Sequence, residues 1–264
     1  MGCQCTHFGF VLAILQSAGK RVEFVWPEIA ADTNRCCFRC EMLGRRVLFD
    51  VSDYANLAPA EELRDIDIVF KFHFCEAYSA GLKHVFPLSP VSFYDWRQYW
   101  AMQGDIRYQA RGRIANKQRA HSQNRERRTH VQKLLRDAYG ERLDGNVVEQ
   151  GAFWRSVGEA SVAICVPGAR IDILDRGQLQ YMAYGACTIA PKLNIDLPWG
   201  DALLPNMHYL ECAPDWTDLL ERVEWADKNP AYCLRVGYNA KQVFQRTLTG
   251  AALAEWIQRC LARV

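Results

Sequence analysis

The chain has 264 residues, of which 50% are hydrophobic and 23% are charged, and its formal net charge is +2 at pH 7. This is the composition of a folded globular protein, and the length fits one large α/β domain or two smaller ones. No apolar run approaches the roughly 18 residues of a membrane-spanning helix, and no basic segment precedes the apolar stretch at residues 8–18. We therefore expect neither a transmembrane segment nor a secretory signal, and a cytoplasmic location.

The 11 cysteines are scattered along the chain, and several lie in apolar segments. In a chain without a secretory signal, such residues are expected to be buried thiols rather than disulfides. Cys37 and Cys40 have a two-residue spacing, but no second pair follows, so we expect no zinc site. The first six residues, MGCQCT, match a myristoylation pattern, and N-terminal lipidation stays open.

The first part of the chain predicts alternating helices and strands. A helix is predicted at residues 8–18, a strand at 20–26, a hairpin at 37–51 that turns at Gly44, and strands at 67–74 and 85–90. An aromatic and polar segment, FYDWRQYW, then precedes a glycine. We place a domain junction near residues 93–105, which divides the chain into domains 1–96 and 97–264.

The second part begins with a strand and a basic turn within residues 106–119, followed by a polar helix from about residue 115 to 139. Strands are then predicted at 146–149, 161–166, 187–190 and 208–212, and helices at 153–158, 177–184, 215–225, 230–247 and 250–263. Gly185 supplies a typical helix stop. Strands that alternate with helices indicate βαβ units and parallel sheets.

The loop at residues 167–175 leaves the carboxyl end of a predicted buried strand, which is where parallel sheets bind their ligands. A helix begins near Arg176 and Gly177, and its unpaired N–H groups and dipole favour an anion. Arg176 adds a planar donor fork that suits phosphate. Asp172 and Asp175 either accept hydroxyl hydrogens of a sugar or cap the helix.

A second basic cluster follows the strand predicted before it. Arg111 and Arg113 flank Gly112, where a ligand can approach the backbone, so they are predicted to reach the same anion from a neighbouring strand. The remaining cations of this stretch are expected to lie on a solvated helix face; they are Lys117, Arg125, Arg127 and Arg128.

Four segments carry a resemblance to a known family: YQARGR, RGQLQYMAYGACTIAP, LLPNMHYLECAPDWTDLLERVEW and NPAYCLRVGYNAKQVFQRTLT. In this order they resemble the donor-binding half of GT-B glycosyltransferases, closest to the capsule-associated-protein and protein O-glucosyltransferase group. The resemblance implies an α/β fold of two Rossmann-like domains that face each other across a cleft. Many GT-B enzymes carry two glutamates eight positions apart, whereas the nearest pair here is Asp172 and Gln180.

The resemblance implies a hexosyltransferase-like enzyme that moves a sugar from a nucleotide-sugar to a hydroxyl acceptor in a glycan, protein, lipid or modified DNA base. No cofactor or metal is expected, because no DxD pair lies in a suitable loop. Arg176, with Arg111 or Arg113, would stabilise the departing diphosphate. Other donor-binding positions are Gly177, Asp172, Asp175, His208 and Tyr209.

The resemblance also implies a general base on the acceptor side, from the domain at residues 1–96. The candidates are His73, Glu76 and Asp67, with Asp53 as a further carboxylate. His73 and Glu76 follow a predicted strand, which is a suitable position.

Other functions stay open. Residues 97–142 hold twelve Arg or Lys and four Asp or Glu, a local net charge of +8, which suits a nucleic-acid backbone although no nucleic-acid motif accompanies it. A nucleic-acid-binding protein, a glycosyltransferase that modifies DNA bases and a non-catalytic sugar-binding relative are the alternatives.

Overall fold

The computed structural model describes residues 37–54, 56–57, 60–78, 84–89, 112–118, 120, 124–146, 150–168 and 170–264. The helix predicted at 8–18, the strand predicted at 20–26 and the junction predicted near 93–105 lie outside these residues. The chain forms two compact units, each with its own sheet.

The first unit contains a four-stranded sheet in the order β1-β2-β3-β4. Its strands are β1 (Cys37–Met42), β2 (Arg45–Asp50), β3 (Ile68–Phe72) and β4 (Val85–Leu88), with a short helix α1 (Ala60–Leu63) before β3. β1 and β2 form the predicted hairpin, and β2, β3 and β4 are parallel. Leu43 and Gly44 both have positive φ, as a two-residue turn between twisted strands requires.

The second unit contains a five-stranded, all-parallel sheet in the order β6-β5-β7-β8-β9. The strands are β5 (Arg113–Ala115), β6 (Leu143–Asp144), β7 (Ala160–Ile164), β8 (Thr188–Pro191) and β9 (Leu210–Cys212). The helices are α2 (Arg125–Tyr139), α3 (Gln150–Val157), α4 (Arg176–Tyr184), α5 (Leu219–Lys228) and α6 (Pro230–Val243). The predicted α/β class with parallel strands is thereby confirmed.

The chain returns to the first unit at its C-terminal end. Ile195–Ala202 and Gln245–Val264 belong to that unit, which includes a π-helical turn (Phe244–Leu248) and the last helix, α7 (Gly250–Leu261). Trp256 of α7 donates from Nε1 to the carbonyl of Pro87 in β4 (2.8 Å), and its ring packs edge-on against Phe86. The last helix thus packs on β4 of the first sheet.

The start of the second unit differs from the sequence prediction. Arg113 opens β5 instead of lying in a turn, because Ile114 and Ala115 are fully buried between two parallel neighbours, β6 and β7. The helix predicted from residue 115 therefore begins only at Arg125. A later helix, α5, begins at Leu219 rather than residue 215, because the Asp215 carboxylate accepts from the N–H and hydroxyl of Thr217 in a local turn.

Two glycines fix the contact between α4 and α6. Gly185 ends α4 at φ 83° and donates its N–H to the carbonyl of Met182, which is the predicted helix stop. Gly237 in α6 lies against it so closely that a Cβ there would be 2.0 Å from the Gly185 oxygen. This contact packs the C-terminal end of α4 closely against α6.

Candidate functional site

The second sheet has a topological switch point between β5 and β7. The chain leaves β5 toward β6 on one side, then crosses to β7 on the other, and ligands of open α/β sheets bind at such a point beyond the carboxyl ends. Polar side chains after β5 bridge the two strand ends. Asn116 Nδ2 donates to the carbonyl of Ile164 (3.1 Å), and Gln118 Oε1 accepts from the N–H of Val166 (2.5 Å).

Asp175 caps the helix that follows this edge. Its Oδ2 accepts from the N–H of Gly177 (2.7 Å) and from Gln118 Nε2 (2.6 Å), and its Oδ1 accepts from Arg128 Nη2 (3.1 Å). The capping interpretation of Asp175 is confirmed. Because three protein donors already surround this carboxylate, it has little capacity left for sugar hydroxyls.

The interpretation of Lys117, Arg127 and Arg128 as solvated cations is wrong. Arg128 is buried and donates from Nε and Nη2 to the carbonyl of Val166 (3.1 and 2.9 Å). Lys117 is buried and pairs with Asp144 (2.5 Å), while Arg127 reaches the carbonyls of residues 167 and 168. In the first turn of α2, Arg127 and Arg128 point to the loop after β7, and of the four cations only Arg125 is exposed as expected.

Arg176 and Gly177 occupy the first turn of α4, as predicted. The Arg176 side chain is exposed. At Gly177 an added Cβ would lie 2.9 Å from Asp175 Oδ2 and 3.4 Å from Gln118 Nε2, so a side chain here would displace the capping carboxylate. In the preceding loop, Asp172 pairs with Arg170 (2.7 Å), so the carboxylate of Asp172 also has a partner within the protein.

Of the other two predicted donor cations, Arg113 lies away from this edge. Arg113 lies at the amino end of β5, the opposite end from the switch point, and Arg111 lies outside the described residues. Farther along the basic stretch, Arg142 forms two 2.9 Å hydrogen bonds with the carboxylate of Asp227. With Lys117 and Arg128 also paired, the +8 stretch presents fewer unneutralised charges than its composition indicates.

His208 and Tyr209 support the segment between β8 and β9. His208 Nδ1 accepts from the N–H of Leu204 (2.9 Å). Tyr209 is fully buried, and its hydroxyl accepts from the N–H of Leu193 (3.1 Å), just beyond the carboxyl end of β8. Burial raises the pKa of Tyr209 to about 12. Both side chains thus hold backbone near the strand ends.

In the first unit, the candidates for a base divide between the two ends of β3. His73 follows β3 with φ 53° and faces Asp53, with 3.2 Å between Nε2 and Oδ1. Glu76 is exposed, and its N–H donates to Asp196 Oδ2 (2.6 Å). Asp67 precedes β3, about 20 Å along the strand from His73.

Asp67 has a partner that explains its position. Its carboxylate accepts from the N–H of Arg46 (2.7 Å) and from the Arg46 guanidinium. The side-chain hydrogen bond from Arg46 lowers the pKa of Asp67, which makes this carboxylate a weaker base. The structure therefore brings His73, Glu76 and Asp53 to the carboxyl end of the strands and leaves Asp67 at the other end.

A buried ion pair beside His73 was not anticipated. Lys71 and Asp50 are register partners in β3 and β2, both fully buried, with 3.3 Å between Nζ and Oδ1. Lys71 Nζ also donates to the carbonyl of Ser52 (2.7 Å), and Asp50 accepts from the Ser52 hydroxyl (2.5 Å). The pair fixes residue 52, next to Asp53. The sequence signal for this pair is a charged residue beside apolar ones in each strand. These residues are the aspartate after VLF in RRVLFD and the lysine in IVFKF.

Within the described ranges, no group of three or more histidine, cysteine, aspartate or glutamate side chains is arranged to hold a metal ion. The eight cysteines of these ranges are free thiols, and seven are buried, as predicted. In the same part of the chain, none of the helices combines the length and apolar character that crossing a bilayer requires.

Comparison with solved structures identifies the fold. Sucrose-phosphate synthase from Thermosynechococcus elongatus superposes with a TM-score of 0.51 at 15% identity, covering 76% of this chain and 59% of that one. HepE from Anabaena, in complex with UDP, superposes with a TM-score of 0.51 at 8% identity, covering 76% of this chain and 65% of that one. The chain thus spans about three fifths of the length of these proteins and shares their fold.

Sequence comparison adds little. No family model matches the chain. A segment of 66 residues is 33% identical to the uncharacterized protein 035R of Invertebrate iridescent virus 3. The segment covers 25% of this chain and 6% of the viral protein.

Proposed function

We propose that the protein is a glycosyltransferase that moves a sugar from a nucleotide-sugar to a hydroxyl acceptor. The observation that carries the proposal is the position of Arg176 in the first turn of α4, beyond the carboxyl edge of a parallel sheet and beside its switch point. A guanidinium and a helix N-terminus together favour the negative charge that develops on a departing diphosphate. The shared fold with sucrose-phosphate synthase and UDP-bound HepE supports this reading.

The proposal includes the finer features that the family resemblance implies. These are the GT-B arrangement of domains 1–96 and 97–264 across a cleft, with the segments Ile195–Ala202 and Gln245–Val264 of the second range returning to the first unit, membership of the capsule-associated-protein and protein O-glucosyltransferase group, and transfer without a metal or resident cofactor. UDP is the first nucleotide to test, because HepE has the same fold and binds it.

On the acceptor side, we propose that the base comes from the Asp53–His73 pair or from Glu76. All three follow β2 or β3 at the carboxyl end of the first sheet. The positive φ of His73 agrees with this role, since strained backbone is common at active sites. An ordered carboxylate beside an imidazole can accept the proton of an acceptor hydroxyl as the sugar is transferred.

The test is a thermal-shift panel of nucleoside diphosphates and nucleotide-sugars, followed by measurement of nucleoside diphosphate release. A ligand at 100 times its dissociation constant stabilises the folded state by about 2.7 kcal/mol, which gives a measurable rise in melting temperature. Stabilisation by one nucleotide and its sugar derivative, with release of the free diphosphate, supports the proposal. A protein that no member of the panel stabilises contradicts it.

A further inference from the structure

Two side chains from outside the β7–α4 loop hold both of its ends. Gln118 and Arg128 together bind the N–H and the carbonyl of Val166, where the loop begins. The same two side chains donate to the two carboxylate oxygens of Asp175, where the loop ends. We call Gln118, Arg128 and Asp175 the loop clamp.

The clamp fixes the two ends of the loop, at Val166 and Asp175. A mobile loop loses roughly 1–2 kcal/mol of backbone entropy for each residue that ligand binding orders. A loop whose two ends are already fixed avoids part of that cost, so it binds a ligand more tightly. The clamp also orients α4 at its first turn, because Asp175 is both the cap of the helix and the point where Gln118 and Arg128 meet.

Arg128 has a second effect that Gln118 cannot have. Asp175 places a negative charge at the N-terminus of α4, next to Arg176. Such a charge would repel an incoming diphosphate. The Arg128 guanidinium lies 3.1 Å from Asp175 Oδ1, and both side chains are largely buried, so solvent and salt screen the pair only weakly. Arg128 therefore neutralises the cap and leaves Arg176 and the helix dipole to attract the anion.

We infer that Gln118 and Arg128 are positioning residues for the diphosphate of a nucleotide: both fix the β7–α4 loop, and Arg128 also cancels the charge of Asp175. The inference rests on the proposed function, because the diphosphate is that of the donor. Neither residue needs to contact the ligand.

The experiment measures UDP affinity by calorimetry in matched variants, with GDP, CDP, ADP and dTDP tested on the wild type alongside. Arg128→Met should weaken binding about ten- to hundredfold, the range of a lost charge-assisted interaction. Arg136→Met is the control, because Arg136 is an exposed arginine on the same helix.

The charge effect is isolated by removing the carboxylate. Asp175→Asn keeps a good helix cap but loses the ion pair with Arg128, so it serves as the reference for the double variant. Adding Arg128→Met to Asp175→Asn should weaken binding severalfold less than Arg128→Met weakens it in the wild type, since no unbalanced carboxylate charge is left. Gln118→Met should also weaken binding, but Asp175→Asn should not rescue it, because no charge is involved.

The outcomes separate the two claims. A wild-type protein that binds none of the five nucleoside diphosphates contradicts the proposed function. If the wild type binds one of them, we compare the affinity of the two variants for that nucleotide. Equal affinity of Arg128→Met and Arg136→Met overturns the inference about Arg128 and leaves the proposed function standing. Should Arg128→Met fail to fold, Arg128→Gln decides, because it removes the charge and keeps hydrogen-bond donors: UDP affinity equal to that of the wild type overturns the role of Arg128 in neutralising Asp175.

Discussion

His73 and Asp53 lie 3.2 Å apart between Nε2 and Oδ1, yet their side chains differ in exposure, 7% for the histidine and 46% for the aspartate. A base has to touch the hydroxyl that it deprotonates. Of the pair, only Asp53 is exposed enough for the proposed acceptor to contact it. The buried His73 orients the Asp53 carboxylate. The buried Lys71–Asp50 pair fixes Ser52, the residue before Asp53, and so limits where the carboxylate points.

The first prediction concerns this pair. Asp53→Asn should lower turnover of the nucleotide-sugar about 100-fold or more, the usual contribution of a general base, and leave the donor KM nearly unchanged. His73→Asn should have a smaller effect, and asparagine tolerates the positive φ at this position. The measurement is nucleoside diphosphate release, with Asp65→Asn as the control because Asp65 is highly exposed. Turnover by Asp53→Asn within about twofold of wild type would exclude the pair as the base.

The second prediction is a pH dependence of stability at Tyr209. Its folded-state pKa of about 12 lies above the unfolded value of about 10, because burial disfavours the phenolate. Folding therefore favours the protonated phenol, and this stabilisation is complete below pH 10 and is lost as the pH rises toward 12.

Tyr209→Phe tests this dependence. At pH 7 the variant should be less stable by about 1 kcal/mol, because it loses the hydrogen bond from Leu193. The stability advantage of the wild type, measured by urea unfolding, should shrink above pH 10 and reverse before pH 12, since only the wild type has this phenol to ionise and two pKa units are worth about 2.7 kcal/mol. A difference that stays constant over this interval would show that Tyr209 is solvated.

The sequence predicts the second half of the fold well because its signals there are local. Gly185 has to be glycine to end α4 at positive φ, and the β7 run is apolar enough to indicate a buried strand. The start of that unit is different. The three residues of β5 show no periodicity, and their strand state depends on pairing with β6 and β7, which are distant in sequence.

The same limit explains the candidate site. Arg176 and Asp175 could be found because a strand, a loop and a helix start are adjacent in sequence. Arg128 could not, since an arginine on a polar helix is ordinarily solvated. Its burial depends on Asp175 and Val166, which lie 47 and 38 positions away. Long-range ion pairs of this kind leave no local pattern.

The third prediction tests the packing of α6 on the end of α4. Gly237→Ala places a Cβ 2.0 Å from the Gly185 oxygen and 2.8 Å from its carbonyl carbon, so two backbones have to separate. The variant should lose about 3 kcal/mol or more in free energy of unfolding, although alanine is the better helix former. The exposed neighbour Tyr238→Ala should change stability by only about 0.5 kcal/mol. A Gly237→Ala protein as stable as wild type would contradict the close approach.

The fourth prediction concerns metals. Release of nucleoside diphosphate should continue in EDTA at an undiminished rate, because the cation expected to stabilise the leaving group is the guanidinium of Arg176. The assay compares chelated enzyme with enzyme supplied with magnesium or manganese. Complete loss of activity in EDTA, restored by manganese, would show that a metal carries this charge.

The last prediction concerns Arg176. Arg176 is exposed in the first turn of α4, where bidentate hydrogen bonds to the diphosphate of the proposed donor would combine with the helix dipole. Arg176→Ala should cost roughly 2–4 kcal/mol of leaving-group stabilisation, or about two to three decades in turnover. Arg176→Lys should recover only part of this, because an ammonium group cannot reproduce the planar fork.

Melting temperatures separate a functional role of Arg176 from a structural one. The exposed side chain contributes little to the core, so Arg176→Ala should melt within a few degrees of wild type. A much lower melting temperature would make Arg176 a structural residue. Normal turnover by a stable Arg176→Ala protein would place the donor diphosphate elsewhere. Because Asp175, Gln118 and Arg128 are untouched in this variant, loss of turnover with a retained melting temperature would assign the effect to the guanidinium itself.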